Sequence, residues 1–298
     1  MAVKQVKVTI NEQDHILTWS EEHQAYESTL TAPNKSSWNE NDGHYYSVAV
    51  TATDDAGNET TITDADETFG EQLKLLVEEN NAPTIEIVYP TASSSIGNAS
   101  PVIQWKVMDD DSGVNPETIS IQIDDQPAVT EGIQTSPIEG GYDCSYTASS
   151  LSDGAHSFTV NVSDFDKNAA SPVTTSFKVD TIPPVLTIDT PSDNLITNKS
   201  TVTVSGTTND ATSSPVTLTV NDVPVAVQGD GRFTHEFTLS SGKNVITVVA
   251  TDSVGKSTTV VRNVTIDTGA PVFQEVTITP NPVDAGATYI ISVKVIDE

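Results

Sequence analysis

The densest group of candidate metal ligands is the acidic run Asp109-Asp110-Asp111-Ser112-Gly113, which follows an alternating apolar stretch. Carboxylate and backbone carbonyl oxygens are the ligands that Ca²⁺ takes in proteins. The run lacks the Asp-x-Asp-x-Asp-Gly spacing of an EF-hand loop. Asp109, Asp110 and Asp111 are therefore candidate Ca²⁺ ligands, with a solvated turn after the strand as the alternative.

Three further aspartates, Asp54, Asp164 and Asp252, occupy matching positions along the chain. Each ends an alternating apolar stretch and precedes a turn that contains Gly or Asn. The alternation predicts a strand with one face toward a core, and an Asp in such a turn can accept hydrogen bonds from backbone amides. We expect turn capping within three β-hairpins, with Ca²⁺ binding as the alternative. No other cofactor is predicted.

The aromatic residues and the one cysteine offer few further sites. Trp38 lies in the polar stretch 36–39, a predicted loop, and could stack on a sugar ring. The alternating pattern around Trp105 predicts core packing instead. Cys144 lies in a strand-like stretch, residues 142–146, so we expect a structural strand thiol, and a single cysteine excludes an intrachain disulfide.

No catalytic constellation stands out. The five histidines are dispersed and none has the spacing of a metal-binding pair. The sequence has no Gly-x-Ser-x-Gly motif and no Gly-rich phosphate loop. The 42 carboxylates single out no pair for glycoside hydrolysis. We therefore expect that the chain is not an enzyme.

The formal net charge of −29 at pH 7 bears on partners and location. Such a chain is repelled by nucleic acid and by anionic membrane surfaces. No apolar run reaches the roughly 20 residues that span a bilayer. The N-terminus enters a strand pattern at once, without the pattern of a signal peptide. We expect a chain made in the cytoplasm that stays there, or leaves by lysis or within a particle.

A repeated junction divides the chain. Residues 179–184 read Val-Asp-Thr-Ile-Pro-Pro, residues 266–271 read Ile-Asp-Thr-Gly-Ala-Pro, and residues 77–83 are a looser relative. Proline cannot donate to a β-ladder and favours an extended path, so we interpret the junctions as short linkers. The predicted domains are three Ig-sized units and a partial one: 1–80, 81–181, 182–268 and 269–298.

The partial unit, residues 269–298, holds two strand patterns around a turn rich in Pro, Asn and Gly. An isolated two-stranded unit is marginal in water. It packs on domain three, is completed by another chain, or was cut from a longer chain. If residue 298 is the natural end, we expect docking or strand complementation by a partner.

Two hairpin sequences carry a family resemblance. VAVTATDDAGN (residues 48–58) and VITVVATDSVGK (residues 245–256) resemble the F–G hairpin of bacterial Ig-like domains. Residues 216–252 resemble the modules repeated in surface adhesins and appended to glycosidases. The resemblance implies an all-β fold of tandem immunoglobulin-like β-sandwiches in an elongated array.

The two ends of the chain carry a more specific resemblance. Residues 6–33 and 276–298 are similar to Ig-like proteins encoded in the tail regions of phages and prophages of Gram-positive gut bacteria. This implies a structural tail or capsid-decoration protein of a virion. Its partners would be other virion proteins, further copies of itself and host-surface polysaccharide. The alternatives are a fragment of a bacterial cell-surface adhesin and non-catalytic modules of a polysaccharide-acting enzyme.

Overall fold

The computed structural model describes residues 2–297. Apart from one short 3₁₀ helix, Gly70–Leu73, the regular elements of these residues are β-strands, which confirms the predicted all-β class. The chain forms two compact units, Met1–Val179 and Asp180–Glu298. Within the described residues, no helix has the length and apolar character to cross a membrane.

The first part of unit one is a single sheet. Its strands are β1 (Val3–Ile10), β2 (Gln13–Ser20), β3 (Ala25–Glu27), β4 (Tyr46–Asp54), β5 (Glu59–Ile62) and β6 (Lys74–Leu75). Their order is β3-β2-β1-β4-β5, with β6 also paired to β4. An Ig-type sandwich has two separate sheets. In the described part of this segment only Val8, Tyr46 and Leu73 are buried large apolar residues, which is a small core for two sheets.

The rest of unit one is a two-sheet sandwich. Its strands are β7 (Thr84–Tyr89), β8 (Ser95–Ile96), β9 (Val102–Met108), β10 (Val114–Ile123), β11 (Gln134–Ile138), β12 (Gly141–Thr147), β13 (Gly154–Asp164) and β14 (Val173–Val179). The sheets are β10-β13-β14-β8 and β11-β12-β9-β7. Alternate residues face inward, and Trp105, Phe158 and Phe177 are fully buried between the sheets. The predicted core position of Trp105 is confirmed.

Unit two contains a second two-sheet sandwich. Its strands are β15 (Val185–Thr190), β16 (Leu195–Thr197), β17 (Thr201–Asn209), β18 (Thr217–Val220), β19 (Val223–Val225), β20 (Arg232–Thr238), β21 (Gly242–Thr251) and β22 (Ser257–Ile266). The sheets are β15-β17-β20 and β16-β22-β21-β18-β19. Val204, Phe233, Ile246 and Val248 lie in its core.

The three predicted hairpins are present as the antiparallel pairs β4–β5, β13–β14 and β21–β22. The period-two pattern in each places apolar side chains inward, as in Phe158, Val160 and Val162 of β13. Each hairpin therefore presents its turn, with its Asp, at the end of a sheet.

The last two strands, β23 (Val272–Thr279) and β24 (Ile290–Ile296), form a separate two-stranded sheet. Apart from the half-buried Ile296, their large apolar side chains are exposed, including Val272, Phe273 and Ile290. We considered three possibilities for residues 269–298, and one was packing on domain three. The exposed side chains of the described residues do not show such packing. Completion of this hairpin by further β-structure stays a prediction.

Candidate functional site

Carboxylates from three distant parts of the sequence meet in the sandwich of unit one. They are Glu79 in the segment before β7, Asp109 directly after β9, and Asp164 at the end of β13. One ligand oxygen from each lies within 4.8 Å of the others. Like charges this close disfavour full ionisation, so the group is suited to a proton or a cation.

A second carboxylate triad lies in the sandwich of unit two. Asp180 precedes β15, Asp210 directly follows β17, and Asp252 follows β21. One ligand oxygen from each again lies within 4.8 Å of the others, and the three residues are only 0%, 8% and 6% exposed. Among residues 2–297, no Lys, Arg or His nitrogen lies within 4.0 Å of these carboxylates.

Strand pairing explains why acids distant in sequence meet. Thr84 at the start of β7 pairs with Met108 at the end of β9, so Glu79 and Asp109 lie near one end of the sheet. The third acid arrives because β13 ends at Asp164, beside the same loops. The two sheets of the sandwich therefore bring a linker acid, a loop acid and a turn acid together at one end of their strands.

The same arrangement produces the triad of unit two. Val185 at the start of β15 pairs with Asn209 at the end of β17, which brings the flanking Asp180 and Asp210 together. In both triads the first two acids are thirty residues apart, at 79 and 109 and at 180 and 210. The two sites are therefore built from equivalent positions of a repeated module.

The linker acid and the loop acid of the triads have a third counterpart further along the chain. Asp267 precedes β23 and Asp297 follows β24, again thirty residues apart, and Val272 pairs with Ile296 between them. The Gly269 amide donates to Asp267 Oδ1 at 2.9 Å, in the manner of the turns after the other linker acids. In the part of the chain that the structure describes, this pair is not joined by a third carboxylate.

The three turn aspartates cap their hairpins as predicted. Oδ1 of Asp54, Asp164 and Asp252 accepts a hydrogen bond from the backbone amide four residues later, at 2.9, 2.8 and 2.8 Å. Capping and triad membership coexist in Asp164 and Asp252, because a carboxylate has two oxygens. Among the described residues Asp54 belongs to no triad.

The two triads differ at the residue four positions after the turn aspartate. Asn168 donates its side-chain amide to Asp164 Oδ2 at 2.8 Å and to Glu79 Oε1 at 3.2 Å. Lys256 stands at the equivalent position in unit two and gives Asp252 no such side-chain bond. Oδ2 of Asp252 is buried and has no hydrogen-bond partner among the described residues.

Burial is the largest influence on Glu79 and raises the pKa of its carboxyl above the ordinary value. The Asn81 amide, which donates to Glu79 Oε2, opposes this rise, whereas the neighbouring Asp164 and Asp109 add to it. The triad of unit one therefore disfavours the fully ionised state in the absence of a balancing positive charge.

The structure separates the predicted acidic cluster. Asp109 joins the triad, and its Oδ1 accepts the amides of Asp111 at 3.1 Å and Gly113 at 2.7 Å. Asp110 is exposed. Asp111 Oδ1 instead accepts the Ser36 amide at 2.9 Å. Among the described residues Asp110 and Asp111 belong to no triad, so of these three only Asp109 keeps a grouped geometry for Ca²⁺.

Trp38 is packed between two rings and does not present a free face. Its ring lies 3.8 Å from His44 at an interplanar angle of 5°, and 4.4 Å from Phe165 at 10°. Two coplanar rings cannot both fit this close to one face, so they cover opposite faces. The proposed sugar-stacking role of Trp38 is corrected to a packing role, because both faces that a sugar would use are occupied.

Cys144 is a strand residue of β12, directly opposite Trp105 of β9. It is buried, and burial raises the pKa of its thiol to about 12. A thiol held in its neutral form is a poor nucleophile, which agrees with the predicted structural role.

Sequence reasoning missed the linker acids Glu79 and Asp180 and the loop acid Asp210. The available signal was the repeated junction itself, because each junction carries an acid four residues before a proline, at 79, 180 and 267. Aligning the junctions with the strands that follow would have revealed the thirty-residue spacing.

Two segments match known protein families. Residues 83–160 match the bacterial Ig domain, and residues 184–268 match the family described as glucodextranase, domain B. These matches support the resemblance to bacterial Ig-like domains and leave the resemblance to phage tail proteins untested.

Similar proteins include Bacillopeptidase F from Bacillus subtilis (strain 168), 30% identical over 172 residues. That alignment covers 55% of this chain and 12% of the relative, so the chain spans a small part of the relative's length. The fibronectin(III)-like modules of Clostridium thermocellum CbhA are 16% identical, over 62% of this chain and 94% of that one, with a TM-score of 0.37. The titin I-band fragment I67–I69 is 15% identical, over 89% and 88%, with a TM-score of 0.39.

Proposed function

We propose that this chain supplies non-catalytic Ig-like modules that hold other parts of a larger assembly at a fixed spacing. The main support for the proposal is a set of specific side-chain contacts at the junction between the first sheet and the sandwich of unit one. Trp38 of the first segment stacks on Phe165 of the sandwich. Asn39 donates its side-chain amide to the backbone carbonyls of Asp111 at 2.6 Å and Ser112 at 3.1 Å.

The linker of this junction is hydrogen-bonded on both sides. Val77 accepts the Ser37 amide at 2.8 Å on the side of the first sheet. Two residues later, the Glu79 amide donates to Asp166 Oδ2 at 2.9 Å, and Asn168 donates to the Glu79 carbonyl at 3.0 Å, on the side of the sandwich. A flexible tether would leave these backbone groups to water, so the contacts support a spacer whose consecutive parts are held together.

The comparisons support an accessory role beside a catalytic domain. The family matched by residues 184–268 is named for one domain of a glucodextranase, and the curated relative is named as a peptidase. We infer that modules of this kind accompany an enzyme that acts on polysaccharide or peptide. The catalytic work would then belong to another part of that protein.

A virion is the second setting that we propose, supported by the resemblance of residues 6–33 and 276–298 to phage and prophage tail proteins. There the chain would decorate a tail or capsid, contact other virion proteins and further copies of itself, and reach host-surface polysaccharide. A fragment of a bacterial surface adhesin would use the same spacer property. The net charge of −29 disfavours nucleic acid or an anionic membrane as partner in each setting.

Limited proteolysis of the full chain tests the spacer role. A protease that cleaves after Glu meets Glu78, whose side chain is exposed, and Glu79, which is 8% exposed. We expect slow cleavage at both in the native protein and faster cleavage in Trp38→Ala. The matched control Trp19→Ala removes an exposed indole and should leave this cleavage slow. Rapid cleavage of the native chain at Glu78 or Glu79 would contradict a fixed junction.

The setting is tested by locating the native protein. Peptides of this chain in purified virions, together with antibody labelling of the tail or capsid, would support the virion role. Recovery of the chain in one polypeptide with a catalytic domain would support the accessory role and remove the virion proposal. Release of reducing sugar or peptide by the isolated chain itself would overturn the non-catalytic proposal.

A further inference from the structure

We propose that Asp180, Asp210 and Asp252 bind one Ca²⁺ ion in unit two. These carboxylates come from a linker, a loop and a hairpin turn, and one oxygen of each lies within 4.8 Å of the others. All three residues are more than nine-tenths buried. Three buried like charges are unfavourable unless protons or a cation compensate them.

A second observation, independent of the grouping of the three carboxylates, also indicates a ligand: one buried oxygen of Asp252 has no hydrogen-bond partner. Oδ1 of Asp252 is taken by the amides of Val254 at 2.9 Å and Lys256 at 2.8 Å. Oδ2 is buried and receives no hydrogen bond within the described residues. A buried polar atom without a hydrogen-bond partner destabilises the folded state. A cation on Oδ2 would remove this cost.

The other two hairpin turns show that the unpartnered oxygen is specific to Asp252. The side-chain amide of Asn58 donates to Oδ2 of Asp54 at 2.9 Å, and that of Asn168 donates to Oδ2 of Asp164 at 2.8 Å. Lys256 occupies that position in unit two and forms no ion pair with Asp252. The site therefore lacks the internal donor that the other two turns have.

The other two carboxylates of the triad are already oriented by hydrogen bonds. Oδ1 of Asp210 accepts the amides of Thr212 and Ser213, each at 2.8 Å. Oδ1 of Asp180 accepts the Ile182 amide at 3.1 Å, and its Oδ2 accepts the buried Ser213 hydroxyl. Fixed carboxylates lose little conformational freedom on binding, which favours affinity.

The donor set selects the class of cation. Its three carboxylates and neighbouring hydroxyl are hard oxygen ligands, with no His or Cys in the cluster, so Zn²⁺ is disfavoured. Ca²⁺ accepts six to eight oxygens in flexible geometry, whereas Mg²⁺ demands a near-ideal octahedron and retains its waters. Acids contributed by three separate loops suit the larger ion.

The experiment is calorimetric titration of the chelator-treated full chain with CaCl₂ at pH 7, paired with thermal unfolding in Ca²⁺ and in chelator. We expect saturable binding and a higher midpoint in Ca²⁺, because the ion binds the folded state. Asp252→Asn should weaken binding at least tenfold. Asp222→Asn, which removes an exposed acid of the same unit, should bind like the native chain.

A second pair of variants separates the site from a folding defect and from the other triad. Lys256→Asn supplies the missing donor to Oδ2 and should raise the midpoint in chelator while weakening Ca²⁺ binding. Asp164→Asn alters the triad of unit one and should leave the unit-two binding event intact. No heat of binding with Asp164→Asn, or binding by Asp164→Asn that survives the addition of Asp252→Asn and, separately, of Lys256→Asn, would overturn the proposal.

Discussion

The side-chain amide of Asn168 donates a 2.8 Å hydrogen bond to Oδ2 of Asp164, within a cluster of three carboxylates. The same amide reaches the backbone carbonyl and a carboxylate oxygen of Glu79. One asparagine therefore ties the linker acid to the hairpin turn of the same sandwich. In unit two Lys256 stands in its place, and Oδ2 of Asp252 receives no hydrogen bond within the described residues.

Asn168→Ala tests how much this tie stabilises unit one. The substitution removes the Asn168 donor from Asp164 Oδ2 and from Glu79, whose Oε1 keeps only the longer bond from the Ser112 hydroxyl at 3.4 Å. We expect a loss of about 1–3 kcal/mol in the free energy of unfolding. Denaturant unfolding of the full chain measures it. Asn58→Ala is the matched control, because the Asp54 turn is more open to water and should lose less. Equal losses in the two variants would contradict a special role for Asn168.

The hairpins could be predicted because their signals are local. Apolar alternation in β13 and the Asp that ends it are adjacent in sequence, so strand, turn and capping role follow together. The triads could not be obtained this way, since Glu79 and Asp109 meet only through the register of β7 against β9. The sugar-stacking role predicted for Trp38 is wrong for the same reason, because its packing partner Phe165 lies 127 residues further on.

The raised pKa of His156 leads us to expect that the stability of unit one depends on pH. Burial lowers the pKa of His156, but hydrogen bonds to Asp124 and to the Ser152 carbonyl outweigh it, so the net shift is upward. Nδ1 lies 2.7 Å from Asp124 Oδ2 and Nε2 lies 2.8 Å from the carbonyl oxygen, and only the imidazolium donates to both.

A raised histidine pKa stabilises the folded state fully below the unfolded value of about 6.5. We expect the free energy of unfolding to fall as the pH rises from there through the folded pKa. Denaturant unfolding from pH 5.5 to 8.5 measures this, and NMR titration gives the pKa directly. His156→Gln should flatten this part of the profile, whereas His15→Gln should keep it. A native pKa at or below 6.5 would contradict the argument.

Trp38→Ala should weaken the junction inside unit one. The variant loses two stacked ring contacts, with His44 and Phe165, each worth about 0.5–1.5 kcal/mol beyond area burial. We therefore expect a loss of about 1–3 kcal/mol in unfolding free energy. Trp19→Ala is the control, because Trp19 is 46% exposed and has one edge contact, with Tyr26. An unchanged stability in Trp38→Ala would show that the stacking contributes nothing.

Cys144 should resist thiol reagents while the protein is folded. Burial raises the pKa of its thiol to about 12, and the nearby Asp143 carboxylate adds to the rise. Iodoacetamide at pH 8 should label the native chain slowly and the chain in denaturant fully, as measured by mass spectrometry. Fast native labelling would place the thiol at the surface and contradict the packing described for β12.

Deletion of residues 269–298 should leave the second sandwich as stable as before. The hairpin β23–β24 keeps its apolar side chains exposed, including Phe273 at 70%, so its removal takes little packing from β15–β22. We expect an unchanged thermal midpoint for the Val204 and Ile246 core, and lower self-association, since an exposed apolar hairpin is a docking surface for other β-structure. Thermal unfolding and sedimentation of both chains measure the two effects. A midpoint that falls by several degrees would show that the hairpin packs on the sandwich after all, and unchanged sedimentation would remove its role in association.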